Sequence, residues 1–117
     1  MADLLMPAAE ALYAAIGELA TDNEKSPFHF EFESNDPSVL LRDFLNELLI
    51  LFERDQLCLK AIIESTFTAS RLIVAGSMAP VNLERSVFHR EVKAITYHEL
   101  NIREVAGGYE ATFIVDI

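Results

Sequence analysis

Apolar residues recur along the chain with two different periods, and the switches between them mark out its elements. Leu4, Leu5, Ala8, Leu12, Ala15, Ile16 and Leu19 fall at helical spacing, with Glu10 and Glu18 off that stripe. The spacing predicts an amphipathic helix over 4–21 with its apolar side on a core. Asp22-Asn23-Glu24-Lys25-Ser26-Pro27 then interrupts the pattern with turn formers, after which Phe28, Phe30 and Phe32 alternate with His29, Glu31 and Glu33. A period of two predicts a half-buried strand.

Asp36 followed by Pro37 has the chemistry of a helix N-cap and first helical residue. Leu40, Leu41, Phe44, Leu45, Leu48, Leu49 and Phe52 then make one broad apolar face. A second helix is predicted to run to about Arg54. Its polar edge carries Arg42, Asp43, Asn46, Glu47 and Glu53, and the spacing puts Asp43, Asn46 and Glu47 within one turn of each other.

Leu57 to Thr68 and Arg71 to Met78 are rich in Leu, Ile, Val, Thr and Phe without helical periodicity, so they are expected to pair as adjacent strands around a weak Ala69-Ser70 turn. Residues 79–85 read as a connector, because Pro80 removes a ladder donor and no period is visible. Glu91 to Tyr97 fits no single element. Glu99 to Val105 and Tyr109 to Ile117 read as two alternating strands around Ala106-Gly107-Gly108. On the last of these, Tyr109, Ala111, Phe113 and Val115 share one face. The order predicts an α+β fold: a mainly antiparallel sheet with two amphipathic helices packed on one side.

Size and charge narrow the function. A chain of 117 residues with 51% hydrophobic residues is expected to form a single domain, 1–117, around one ordinary core. No apolar stretch approaches the ~20 residues of a membrane helix, no secretory leader is evident, and the lone Cys58 fits a reducing compartment; the cytoplasm is expected. The net charge of −10, with no Lys/Arg cluster to offset it, repels phosphate and argues against tight direct binding to nucleic acid. The same field suits a basic partner surface or a bound cation, or serves solubility alone.

Candidate chemistry is sparse. Gly107-Gly108 belongs to a turn, and neither glycine-rich phosphate motif occurs, which excludes a nucleotide-hydrolysing module. Cys58 in an apolar strand reads as core filler. His89 and His98, nine residues apart with Glu91 and Glu99 nearby, match no recognised zinc spacing. Asp116 either is simply solvated or, beside Ile117, offers side-chain and main-chain oxygens to a hard cation. Lys93 reads as an acid-paired structural lysine or as one positive charge aimed at a phosphate or a partner carboxylate. Asp43, Asn46 and Glu47 read as a solvated helix edge or as part of a surface.

Two blocks carry a family likeness. Leu41-Arg42-Asp43-Phe44-Leu45-Asn46-Glu47-Leu48-Leu49-Ile50-Leu51-Phe52 is one; Glu91-Val92-Lys93-Ala94-Ile95-Thr96-Tyr97-His98, followed by the hairpin that ends in Val115-Asp116-Ile117, is the other. With Ala8-Ala9-Glu10-Ala11-Leu12-Tyr13 in the first helix, the chain resembles the archease family over nearly its whole length. The resemblance implies a non-enzymatic cofactor of the GTP-dependent RNA-splicing ligase that joins tRNA halves, promoting its activation and turnover, with a bound divalent cation, often calcium. It implies Asp116 and the main chain of Ile117 as metal ligands, and a functional surface of Lys93 and Asp116, with Asp43, Asn46, Glu47 and His98 beside them.

The chain departs from the family at its start. A first strand with a His-Thr-Ala-Asp-like motif supplies another metal-site aspartate in that family; here Ala2-Asp3 echoes the motif but runs straight into the helix. Asp3 is therefore not expected to be that ligand, and cation binding is expected to weaken. Loss of a strand exposes a sheet edge, which a homodimer or strand exchange would cover. The alternative reading is an interaction module that keeps the fold without the metal site.

Overall fold

The computed structural model describes residues 1–117. A single turn of 3-10 helix at Ala2–Leu4 leads into helix α1, Leu5–Ile16, which buries Leu5, Ala8, Ala9, Leu12 and Ile16 as the helical spacing predicts. The helix stops five residues short of the predicted 21. At its end Gly17 enters a two-residue strand β1 (Gly17–Glu18) that pairs with Val87 and Phe88. The backbones approach so closely that a Cβ on Gly17 would lie 2.1 Å from Val87 O, so only glycine fits. The helix-terminal carbonyls are taken by the same returning segment. Ile16 O accepts from the N–H groups of His89 (2.8 Å) and Arg90 (3.2 Å), and Ala15 O accepts from Arg90 Nη1 at 2.6 Å. Leu19 keeps the apolar spacing but lies past this stop.

Strand β2 (Ser26–Glu33) turns Phe28, Phe30 and Phe32 toward the core and leaves His29, Glu31 and Glu33 exposed. Helix α2 (Pro37–Asp55) begins where expected: Asp36 Oδ1 accepts from Ser38 N–H at 2.9 Å, and Pro37 occupies the first turn. Leu40, Leu41, Phe44, Leu45, Leu48 and Leu49 are all buried on its inner face. Each such side chain contributes about 1.5–3 kcal/mol on leaving water, so this face dominates the core.

Strands β3 (Leu57–Phe67) and β4 (Arg71–Pro80) form the predicted antiparallel hairpin. Thr68 closes the turn: its Oγ1 accepts from the N–H groups of Ser70 (3.3 Å) and Arg71 (3.1 Å). β4 continues two residues past the predicted 78, because Ala79 and Pro80 still pair with Cys58 and Leu57. The sheet order is β2-β4-β3, all antiparallel, with α2 laid across the three strands and α1 against α2. Thus the helices lie on one side of a mainly antiparallel sheet, and the fold is α+β.

After β5 (Val87–Phe88) the chain returns as β6 (Ala94–Ile95), β7 (Asn101–Val105), β8 (Gly108–Thr112) and β9 (Val115–Asp116). β7 and β8 pair about Ala106-Gly107, where Gly107 takes φ 88°, a left-handed value costly for a residue with a side chain. The predicted last strand is broken at Phe113-Ile114: its first part belongs to the hairpin, and its second pairs with β6.

Candidate functional site

The segment without a clear period, 91–97, carries the candidate residue Lys93. Val92 and Ile95 are buried, while Glu91, Lys93 and Tyr97 are exposed. Two apolar anchors three residues apart thus hold a short extended segment against the core and present Lys93 outward. Two apolar residues at i and i+3 would also fit one turn of helix, and a single such pair sets no period, which is why the pattern alone assigns nothing here.

β6 and β9 pair antiparallel, Ala94 with Asp116 and Ile95 with Val115. Lys93 N–H donates to Asp116 O at 2.7 Å, and Thr96 N–H to Ile114 O at 3.0 Å. The Lys93 and Asp116 residues are therefore brought together from opposite ends of the closing region. Both are exposed, and neither side chain makes an ion pair. Ile117 is 64% exposed beside them.

Helix α2 reaches the same region through Arg42. Its Nε donates to Ile95 O at 3.2 Å, and its guanidinium sits 4.4 Å from the centre of the Tyr97 ring. This residue stands on the predicted polar edge, where its only signal in the sequence is that of a single cation among Asp43, Asn46, Glu47 and Glu53. Asp43, Asn46 and Glu47 are half-buried on that edge, and no hydrogen bond or ion pair joins them to Lys93, His98 or Asp116. Burial raises the Asp43 carboxyl above its ordinary value, and the neighbouring Arg42 charge opposes that shift. His98 is exposed in the turn after β6, with its N–H on Thr96 Oγ1 at 3.2 Å.

Other sequence candidates fall elsewhere. His89 Nε2 lies 3.8 Å from Glu18 in β1, and its N–H donates to Ile16 O at the end of α1, whereas the N–H of His98 is held by Thr96. Cys58 is buried, and its thiol is pushed up to about 12, first by burial, with Lys60 opposing. Asp3 lies against the 105–109 turn, whereas Asp116 pairs beyond the far end of that hairpin, so Asp3 and Asp116 are not brought together.

The donors around Asp116 test whether a divalent cation fits. A calcium ion takes about six to eight oxygens at 2.3–2.6 Å. No group of three or more Asp, Glu, His or Cys side chains converges anywhere in the chain, and Asp116 O already accepts from Lys93. The carboxylate is chemically suitable, but these residues do not by themselves build a cation shell.

Fold and candidate site together define a small acidic α+β chain that carries a lysine and an aspartate on a short terminal strand pair. The comparison with known proteins is specific: the family model of the Archease protein family matches residues 1–117, and the chain belongs to that family. It is 31% identical over 120 aligned residues to protein archease of Methanopyrus kandleri, covering 98% of this chain and 84% of that protein. It is 32% identical over 114 residues to protein archease of Methanosarcina mazei, covering 88% and 76% respectively. With protein archease of Thermococcus kodakarensis it shares 35% over 91 residues, 74% of this chain and 64% of that one.

Proposed function

We propose that this chain is a non-enzymatic activator of a GTP-dependent RNA-splicing (tRNA) ligase, acting through protein contact with the Lys93 and Asp116 surface. The observation that carries the reading is the bond from Lys93 N–H to Asp116 O, which joins the backbones of a lysine and an aspartate whose side chains are both exposed and not ion-paired. Family membership supports the class of activity. The net charge of −10 favours a basic protein surface over RNA as the direct contact.

In this mechanism Asp116 offers a carboxylate, and Lys93 a positive charge, to groups at the partner's nucleotidyl-transfer site. Fixed charges there stabilise developing charge without reorganisation, while the partner does the bond chemistry. Asp43, Asn46 and Glu47 would widen the contact along α2, and His98 would flank it. The reading rests on contact and on the carboxylate, not on a resident cation; a calcium or other divalent ion would need oxygens from water or the partner in addition to Asp116 and the Ile117 main chain. The cytoplasm is the proposed compartment, on the ground that Cys58 is a free thiol.

Asp116→Ala tests this directly. Its side chain is exposed, so stability should change by less than about 0.5 kcal/mol, while stimulation of the cognate ligase disappears. Unchanged stimulation by a folded variant would refute the proposal. A second reading, an interaction module without a metal site, is favoured by the absence of a convergent carboxylate group. Ligase assays separate the two: stimulation that vanishes in Asp116→Ala supports the activator, and no stimulation by the folded wild type supports the module, while calorimetric titration with Ca²⁺ and Mn²⁺ shows whether a cation takes part.

A further inference from the structure

The three-stranded sheet ends in two edge strands, β2 and β3, built differently; on β3 the Leu59 N–H is already taken by Tyr13 Oη at 2.9 Å. β3 carries two register shifts, which leave Lys60 and Ile63 out of its pairing with β4. Bulges and an edge lysine are common devices against strand addition. β2 has neither: all eight of its residues pair with β4 in unbroken register. Its blunting residues are Pro27, near its start, and the exposed Glu31 and Glu33.

The hydrogen-bond phase of β2 can be assigned. Ser34 N–H donates to Ser70 O at 3.1 Å, continuing the register in which Glu33 faces Arg71. Bonded and non-bonded pairs alternate in an antiparallel ladder. Phe32, Phe30 and Phe28 therefore turn their backbone groups toward β4, while Glu33, Glu31 and His29 point theirs outward. On the core side the three rings form a contiguous row, 4.8 and 6.0 Å apart between centroids, and each remains only partly buried at the edge.

We propose that the free edge of β2 is a self-pairing surface, at which two copies of the chain join antiparallel through residues 27–33 about a two-fold axis at Phe30. In this register the outward groups of His29 meet those of Glu31 in the second copy, and the reverse. Glu33 N–H meets Pro27 O, so the proline ends the ladder instead of interrupting it. On the outer face His29 stands opposite Glu31 of the other copy, whereas a register centred on Glu31 would oppose two glutamates. On the inner face Phe30 meets Phe30, and Phe28 meets Phe32, joining two half-buried aromatic rows. The self-complementarity of this register argues for a second copy as the occupant. A single strand pair buries less than the area of a standard stable complex, and each copy carries −10, so the dimer is weak, concentration-dependent and strengthened by salt.

Sedimentation velocity over a concentration series at low and high salt, on the wild type and on Glu31→Pro, tests the proposal. Because the N–H of residue 31 points away from β4, proline there removes an outward donor and leaves the intramolecular ladder intact. The expected result is a reversible wild-type dimer, more populated in salt, and a Glu31→Pro monomer with unchanged far-ultraviolet circular dichroism. Phe30→Cys fixes the register: a non-bonded pair on the axis has Cα atoms about 4.5 Å apart, within disulfide reach, so mild oxidation should give a covalent dimer while buried Cys58 stays reduced. In the unaltered protein, amide exchange at His29, Glu31 and Glu33 should slow as concentration rises. A wild type that stays monomeric at every concentration and salt overturns the proposal. So does a dimer in which those three amides exchange at the monomer rate.

Discussion

The two halves of the molecule are held by different forces. Residues 5–81 contain nearly all the fully buried side chains, among them Leu40, Leu41, Phe44, Leu45, Leu48, Leu72, Val74 and Met78. From residue 82 onward only Val92 and Ile95 are buried, and the chain is tied down by two-residue strand pairs, the β7–β8 hairpin and single contacts such as Arg42 to Ile95 O. The proposed working residues Lys93, His98 and Asp116 all belong to this second half. A rigid, apolar body thus carries a lightly anchored, charged surface, the arrangement expected where binding groups must stay wet and able to adjust.

The sharpest way to break this contrast is to remove one anchor from each half. Phe44→Ala should cost about 3–5 kcal/mol and lower the protection of the whole fold, since the ring lies fully buried in the core of 18 residues. Ile95→Ala should cost less, about 2 kcal/mol, and act locally. In hydrogen exchange, the amides of Lys93 and Thr96, bonded to Asp116 O and Ile114 O, should open first while those of Val74 and its neighbours in β4 stay protected. If both halves lose protection together in Ile95→Ala, they are one cooperative unit and the contrast fails.

The same contrast explains what could be read in advance. In the body, each element has a clean period, so α2, β2, the β3–β4 hairpin and the α+β class follow from positions of Leu, Val, Ile and Phe. The exception is the end of α1, where apolar spacing continues through Leu19 but Gly17 must stop the helix to let Val87 O approach. That reason is tertiary, seventy residues away in sequence, and Gly17 itself was its only local trace. In the closing half, burial is too sparse to impose a period: β6 and β9 exist only because each pairs with the other. The likeness of the Lys93 to His98 block and of Asp116-Ile117 to a family makes them candidates, and the fold pairs the backbones of the two segments. The place of Arg42 is not legible in the sequence, because cation–π and side-chain-to-carbonyl contacts leave no pattern along a chain.

Arg42→Ala should sharpen the picture with a middle-sized effect. It removes a partly buried hydrogen bond to Ile95 O and a cation–π contact with Tyr97, worth together about 1–2 kcal/mol. The loss should fall on the closing half: faster exchange at Thr96 and a changed tyrosine near-ultraviolet signal. Arg42→Lys should restore part of the tyrosine signal, since an ammonium can still sit over the ring, but not the bond geometry of the guanidinium. An equal loss across β4 would mean that Arg42 serves the body instead.

The smallest effect is expected at Asp43, and its sign is informative. Burial raises this carboxyl above its ordinary value of 3.8, so the folded state holds the proton more tightly than the unfolded chain does. Where the unfolded state binds fewer protons, stability falls as pH rises. The contribution of Asp43 is therefore fully present below its unfolded value and is lost as pH climbs through the higher folded one. At neutral pH the ionised, half-buried carboxylate is a slight burden, limited by solvent screening and by Arg42. Asp43→Asn should accordingly stabilise the protein at pH 7 by less than about 0.5 kcal/mol, with the gain vanishing in acid. Denaturant midpoints for both proteins across that range measure it. A variant that is destabilised at pH 7 would show that Asp43 gains more from Arg42 than it loses to burial. A variant that is stabilised yet poorer in ligase stimulation would mark Asp43 as a residue kept for contact at the expense of the fold.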